Sequence, residues 1–478
     1  MISYKYLKSI VLTTLILGSI IGLSAWSITD TYFGNKFGSF DTRAFSMGGA
    51  TAYNDLKPFA IATNPANLTL MKKIAGLEAS ANLTRNQSDR SVPLYNSFDN
   101  YIDDAVLSSN ASTYDDYAGA GFLSMGFGGI RVGMGGYYKP MISFDGSYLE
   151  EIRNNRGTDN DGYPEKIAIN SIENEGSVNQ AAGIASLGYS FGRNIDLNLG
   201  FDYSFLDGDI TQMKDISWSQ WAIDTVGAGV LPDSTYTNEF SLSGEQAKAG
   251  LSLKLGQRLG LGVTYTMKST LTRKGTTTVQ QDAWLGHTAV NTSNDYADDY
   301  VLPSEIRAGI CYQPRNVIRT WFNVDVERVQ WTDVSDMYDD VYNLYVGVEH
   351  HIQNRIPFRF GFQAVNNWRL ETESQTINNV VVPLIWAKET LTPMITAGSS
   401  ITLAEGLTLD LGFGYSWREY ESIDMFRDSY YNDKIYTGSS TYALWPNSYI
   451  VLKDRGWDNP DKVRENFITL KTGLSFVW

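Results

Sequence analysis

The chain has 478 residues, of which 43 are glycine, 13 proline and one cysteine, with 13% aromatic residues and a formal net charge of −15. So acidic a balance argues against nucleic acid as a partner, because phosphate contacts need an excess of cations, and the single Cys311 excludes an internal disulfide. High glycine and aromatic content with scarce proline suits many strands and tight turns better than helices.

The first residues, MISYKYLKSIVLTTLILGSIIGLSAWS, place Lys5 and Lys8 ahead of an apolar run from Ile10 to Leu23, with small residues at Ser24 and Ala25. This is the pattern of a secretory signal cut near Ala25. The apolar run has about 14 residues, where crossing a bilayer takes about 20. Residues 1–25 are therefore expected to be a signal peptide, and losing Lys5 and Lys8 takes the charge from −15 to −17. No cysteine follows the apolar run, so lipidation at that point is not expected.

Residues 26–74 contain SMGGATAYNDLKPFAIATNPANLTL, from Ser46 to Leu70, too irregular for a strand and too broken for a helix. Gly48-Gly49 allows close approach of backbone to backbone, and Asn64-Pro65, followed by Ala66, forces a turn.

From residue 75 onward, segments of period two recur. They fall near 75–85, 117–127, 130–145, 178–191, 195–206, 246–255, 259–272, 305–313, 317–331, 342–352, 356–366, 393–403, 407–418 and 465–477. In NIDLNLGFDYSF, Ile195, Leu197, Leu199, Phe201, Tyr203 and Phe205 face one way, and Asp196, Asn198, Asp202 and Ser204 the other. GLTLDLGFGYSWR repeats the pattern, with Leu407 through Trp417 opposing Asp410 and Arg418. Short turns, such as Gly128-Gly129 and Ala404-Glu405-Gly406, alternate with long polar loops near 86–116, 146–177, 207–245, 273–304, 332–341, 367–392 and 419–464. That segregation of loop lengths fits a membrane barrel with tight turns on one side and long loops on the other. Closure pairs every backbone polar group in lipid, so the apolar faces point outward.

The sequence thus predicts an all-β fold: a transmembrane antiparallel β-barrel of about 14 strands over 75–478, its lumen plugged by a hatch formed from residues 26–74. A barrel of this width is not filled by wall side chains alone. The inward parity collects Asp202, Asn323, Asp325, Glu327, Glu349, Arg359, Asp410, Arg418 and Lys471, a wall able to hydrogen-bond to an inserted segment.

Other constellations carry less. The three histidines, His287, His350 and His351, form no pattern with a nucleophile, so no catalytic residue, cofactor or metal is expected. TDNDGYPE, Thr158 to Glu165, has alternating Asp oxygens but lacks the full spacing of a calcium loop. TDVSDMYDD, Thr332 to Asp340, reads as a solvated outer loop, and Cys311 as a buried inert thiol.

Two stretches carry a family resemblance. RAFSMGGATAYNDLKPFAIATNPANL, Arg43 to Leu68, resembles the N-terminal hatch signature of the FadL family of outer-membrane transporters, with Asn64-Pro65-Ala66 its most recognisable part. LPSEIRAGICYQP and WFNVDVERVQW, between Leu302 and Trp331, are similar to the family's pattern across two consecutive strands. The resemblance implies passive transport of hydrophobic compounds such as long-chain fatty acids across the bacterial outer membrane, gated by the hatch and released sideways between strands. It implies a gate at Gly48, Gly49, Asn64, Pro65 and Ala66 and, because the inward wall positions are charged, an apolar lining from hatch residues Phe45, Met47, Phe59, Ile61 and Leu68 and from inward-turning loops. The implied partners are these small molecules, outer-membrane lipid with lipopolysaccharide, and the barrel-assembly machinery. That machinery is implied by a last strand, FITLKTGLSFVW, which resembles an outer-membrane recognition signal with Trp478 in place of the commoner Phe. A docking or shuttle subunit of a protein secretion system, as some relatives of the family are, and a general porin are the alternatives.

Overall fold

The computed structural model describes residues 27–422 and 461–478, apart from 31, 55, 96–99, 154–165, 193, 227–228, 230, 285, 316–318, 353–355 and 378–379. The expected signal peptide, 1–25, and the stretch Thr158 to Glu165 lie outside the described residues.

Fourteen strands form the wall: β1 (Ala75–Tyr95), β2 (Tyr101–Phe127), β3 (Ile130–Ser143), β4 (Ser177–Phe191), β5 (Ile195–Trp218), β6 (Ser234–Leu255), β7 (Leu259–Thr266), β8 (Ser304–Tyr312), β9 (Arg319–Gln330), β10 (Val341–Ile352), β11 (Ile356–Ile377), β12 (Val380–Ala404), β13 (Leu407–Ser422) and β14 (Asp461–Val477). Each pairs antiparallel with the next, and β14 closes on β1 from Val477↔Gly76 to Lys462↔Ser91. The short turns need a left-handed backbone, which Gly128 (φ +61°), Gly256 (φ +63°) and Gly406 (φ +77°) supply without steric strain.

The two faces separate as the alternation predicts. On β5, Leu199, Phe201 and Phe205 are exposed outward while Asn198, Asp202 and Ser204 are buried inward. Leu411, Phe413, Leu470 and Leu474 continue the outward apolar belt on β13 and β14. An apolar surface running right round a closed sheet is stable only against lipid, so the ring is a transmembrane barrel. Among the described residues, no helix is long and apolar enough to cross a membrane.

The long polar loops need correction. β1 runs on to Tyr95 and β2 begins at Tyr101, β5 reaches Trp218 and β6 begins at Ser234, and β11 and β12 meet at residues 377–380. Much of 86–116, 207–245 and 367–392 is therefore hairpin. Two further pairs, Gly146–Arg153 with Lys166–Glu175 and Ser269–Gln281 with Val290–Leu302, rise in the stretches expected as loops at 146–177 and 273–304. Beyond the lipid the outward face meets water and turns polar, so the contrast between the two faces weakens although the ladder continues and the inward face stays buried, as at Ile210, Phe240 and Leu271.

Residues 27–74 pack against the inward face of the wall. They contain three single-turn helices, Thr42–Phe45, Ala60–Thr63 and Asn67–Leu70, and a two-residue strand, Asn35–Lys36. Asp41 caps the first helix by accepting a hydrogen bond from Ala44 N at 3.0 Å. Contact with the wall is backbone to backbone: an added Cβ would stand 1.9 Å from Gly48 N at Gly361 of β11, and 2.0 Å from the Ala52 carbonyl at Gly262 of β7.

Candidate functional site

One side of the lumen is ionic. Arg43 donates to both oxygens of Glu349 on β10, from Nε at 2.9 Å and Nη2 at 3.1 Å, and its Nη1 reaches Asn54 Oδ1 at 3.2 Å. Arg359 on β11 bridges the same Glu349 to Asp410 on β13, and Asp410 also pairs with Lys57. Lys57 in turn donates to Ser475 Oγ on β14 at 2.8 Å. The chain Arg43–Glu349–Arg359–Asp410–Lys57 therefore starts and ends on the N-terminal segment, with every member buried. Burial by itself would lower the Arg43 guanidinium, but Glu349 beside it more than offsets this and holds it above its ordinary value. Burial pushes the Asp41 carboxyl up, against the pull of the Ala44 N–H and of Arg43 and Lys57.

A second anchor lies on β8 and β9. Asp325 Oδ2 accepts from Thr51 N at 2.7 Å, Ala52 N at 2.8 Å and Arg307 Nε at 3.0 Å. A third is at Asp30, whose carboxylate meets Arg418 Nη2 at 2.8 Å and Arg369 Nε at 3.3 Å. Near it Phe33 packs edge-on against Trp331 and Tyr338.

The other side is apolar. Ala118, Ala120 and Phe122 of β2, Tyr137 of β3 and Ile184 of β4 turn inward and form one core with Phe37, Phe40, Phe59, Ile61, Leu68 and Met71. Strands β2–β4 thus supply apolar lining that was expected only from the N-terminal segment and loops. In YAGAGFLSMGF the outward positions are themselves small or apolar, so parity alone did not reveal the inward ones. Farther out, Met141, Phe144, Leu206, Phe240, Leu271 and Tyr300 form a second apolar cluster.

The ten residues singled out from the sequence separate into distinct places. Gly48 (φ +65°) and Gly49 (φ +81°) form a left-handed crossing, and Gly48 N donates to Thr396 Oγ1 at 2.9 Å. Asn64 is a hub: its Nδ2 donates to Ala52 O at 2.7 Å and Ser252 Oγ at 3.0 Å, while its Oδ1 accepts from Ala66 N at 3.0 Å. Pro65 lies against Gly200 of β5 and Gly250 of β6. Phe59, Ile61 and Leu68 share the apolar core, whereas Met47 packs over Gly347 and Gly361, and Phe45 lies beside Lys471 at 4.9 Å. The five apolar candidates are all buried and do not form a single pocket.

Between β2 and β3 the wall opens. Their ladder runs only from Phe127↔Ile130 to Gly119↔Tyr138. Above it β3 bends inward at Pro140, which has no N–H to donate, and its register with β4 slips between Pro140 and Ile142. Ile142 and Ser143 are buried and pair with Lys36 and Asn35 instead, and Phe37 N donates to Met141 O at 3.0 Å. The two sides rejoin higher up through side chains: Ser112 Oγ lies 2.8 Å from Ser147 Oγ, and Leu149 N donates to Asn110 Oδ1 at 3.0 Å. Along residues 113–118, β2 and β3 are not laddered, and the apolar core lies directly behind, at Ala118 and Tyr137. In lipid such a break in a sheet is tolerated only where the backbone lines a cavity or is covered by protein.

The remaining candidates have structural partners. His350 Nδ1 lies 2.8 Å from Thr320 Oγ1, and His351 Nε2 lies 3.2 Å from Glu349. In the loop expected to be solvated, Asp333 accepts from Ser304 N at 3.0 Å and Asp340 from Arg328 Nε at 3.0 Å. Cys311 is half-buried on the lumen parity of β8. Among the described residues no group of three or more His, Cys, Asp or Glu side chains could hold a metal ion.

No protein-family model matches the sequence, and no curated protein matches it. Solved structures do. The chain is similar to a Pseudomonas aeruginosa FadL homologue, at 12% identity over 93% of this chain and 99% of that one, with a TM-score of 0.57. It is similar to the P. putida toluene transporter TodX, at 12% identity over 93% and 99%, TM-score 0.55, and to the Ralstonia pickettii toluene transporter TbuX, at 14% over 93% and 99%, TM-score 0.51. At this identity the likeness establishes the fold: a FadL-type barrel over nearly the whole chain.

Proposed function

We propose that this protein is a passive outer-membrane transporter of small hydrophobic compounds, releasing them sideways through the break between β2 and β3. The observation that carries the reading is that break, because it connects an apolar core with the lipid-facing surface at a point where a barrel wall should be continuous. A protein bypass of this kind needs no energy source, since the apolar molecule moves down its own gradient past the lipopolysaccharide layer.

The finer parts of the reading rest on chemistry rather than on the fold, which hosts more than one function. Residues 26–74 act as the hatch. Gly48, Gly49 and Asn64–Ala66 fix its path, and its apolar side, with Phe59, Ile61 and Leu68, shifts when a ligand enters. Long-chain fatty acids are the proposed substrates, with monoaromatic hydrocarbons of the kind named for TodX and TbuX as the competing class. A general porin fits less well, because buried ion pairs and close backbone contacts occupy the space that water would need. The protein has no proposed catalytic role, and insertion by the barrel-assembly machinery would use the strand ending in Trp478.

The test is uptake by Gram-negative cells that lack their own transporter, expressing this protein or a version deleted for residues 46–68. Labelled long-chain fatty acid and labelled toluene are compared. Saturable uptake of either by the intact protein, altered by the deletion, is the expected result. Normal surface expression with uptake of neither would overturn the reading.

A further inference from the structure

We infer that a groove on the lipid-facing surface below the β2–β3 break is an exit track, which carries the released molecule toward the periplasmic edge of the barrel. The inference rests on the transport reading above and adds a binding site outside the lumen.

The groove has a volume of about 590 Å³, within the range that accommodates small ligands. Its floor is Gly119 and Gly121 of β2 and Gly136 of β3, and its sides include Leu77, Tyr138 and Phe476. All six occupy outward positions of their strands, so the groove faces lipid and not the lumen. Its upper rim coincides with the lower edge of the break, because Gly119 and Tyr138 are the last residues of the β2–β3 ladder. Its lower end reaches the strand ends, since Leu77 pairs with Phe476 close to where Ile74 N donates to Trp478 O. One continuous apolar path therefore runs from the break to the periplasmic margin.

Of the floor glycines, Gly136 is demanded by the wall, since a Cβ there would stand 2.6 Å from the Ala182 carbonyl, but Gly119 and Gly121 are not. Gly119 has no positive φ, and a Cβ added there would find its nearest neighbour, the Glu78 carbonyl, at 4.0 Å. At Gly121 the close atom is the flexible end of Leu77, at 2.8 Å. A strand interior is weakened by glycine, which has no side chain to pack, so conformation and packing leave Gly119 unexplained. The space it leaves on the membrane side supplies a reason. Most neighbouring outward positions carry large side chains, including Leu123, Met134 and Leu474. The chemistry of the groove fits an apolar molecule of substrate size, held by shape and released into the inner leaflet.

Filling the groove tests this. Gly119→Leu and Gly121→Leu are compared with wild type and with Ala397→Leu, which adds similar bulk to the outward face of β12, four strands round the wall from β2; Gly119→Ala is the milder version. Uptake of labelled toluene and fatty acid is measured in cells, ligand binding by the purified barrel in detergent, and folding by heat-modifiable gel mobility. The expected result is severalfold slower uptake for the groove variants, least for Gly119→Ala, with lumen binding and folding unchanged and Ala397→Leu equal to wild type. Uptake by folded Gly119→Leu equal to wild type would mean that the groove seats only lipid, and would overturn the inference. Slower uptake accompanied by lost binding in detergent would also overturn it, by placing the effect in the lumen. Failure of the wild type to transport is a separate outcome, which strikes the transport reading itself.

Discussion

The two sides of the lumen hold the same N-terminal segment in opposite ways. Toward β8–β14, Arg43, Thr51, Ala52 and Lys57 are fixed by directional contacts to Glu349, Asp325 and Asp410, each deprived of water. Toward β2–β4, Phe59, Ile61 and Leu68 meet Ala118, Phe122, Tyr137 and Ile184 by close packing, and the directional contacts lie at either end of this patch, where Asn35 and Lys36 pair with β3 and Thr69 Oγ1 lies 2.8 Å from Ser186 Oγ of β4. Ionic contacts of this kind are strongly position-dependent, because breaking one leaves a buried charge without compensation. Apolar contacts are not directional, and an apolar ligand can replace them at little cost. On the proposed reading the segment stays anchored on the ionic side and yields on the apolar one, beside the place where the β2–β3 ladder stops.

Variants on the two sides should separate accordingly. The largest effect is expected for Glu349→Ala, which strands the buried Arg43 and Arg359; the loss is about 3–5 kcal/mol, read by denaturant unfolding in detergent. Loss of the anchor should also make residues near Arg43 and Lys57 accessible to protease. Leu68→Ala, on the apolar side, is expected to destabilise by about 2–4 kcal/mol. Unlike Glu349→Ala it should increase uptake, since it enlarges the side that yields. Asn64→Ala removes bonds to Ala52, Ser252 and Ala66 and leaves their partners buried, for about 1–3 kcal/mol in the same unfolding measurement. Arg328→Ala breaks a solvent-exposed pair with Asp340 at the outer end of β9, and the smallest change of the series is expected in the same unfolding measurement. If Leu68→Ala lowered uptake as Glu349→Ala lowers stability, the distinction between the two sides would fail.

Much of the fold was legible because lipid and lumen impose opposite demands on neighbouring residues. Leu199, Phe201 and Phe205 against Asn198, Asp202 and Ser204 mark both faces of β5 from sequence alone, and all fourteen strands were visible this way. The outer hairpins were not, because outside the lipid the outward face is polar and no longer contrasts with the many polar residues of the buried inward face, such as Asn86, Ser88 and Arg90. The charged inward parity was visible, but its partners were not: Arg43 lies 306 positions from Glu349 and Lys57 lies 353 from Asp410. One signal could have found them. Arg43 and Lys57, in a Gly- and Ala-rich segment placed inside the lumen, need buried carboxylates, and inward Glu349 and Asp410 were available. The break between β2 and β3 had a fainter sign in Pro140, which sits where a central strand should need every N–H. Asp30 and Phe33 lay outside the motif that drew notice, so their contacts with Arg418, Trp331 and Tyr338 were not anticipated.

The central claim is passage through the break, and bridging it is the most direct test. Asp116→Cys and Lys139→Cys flank it on β2 and β3; placed in a Cys311→Ser background, they can be joined by a short, reducible thiol cross-linker. Uptake of labelled toluene and fatty acid is then measured before cross-linking, after it, and again after reduction. The account predicts loss of uptake in the bridged protein and recovery on reduction, with no change in either single-cysteine control. Undiminished uptake through a fully bridged barrel would contradict it and place the route elsewhere in the wall or along the barrel axis.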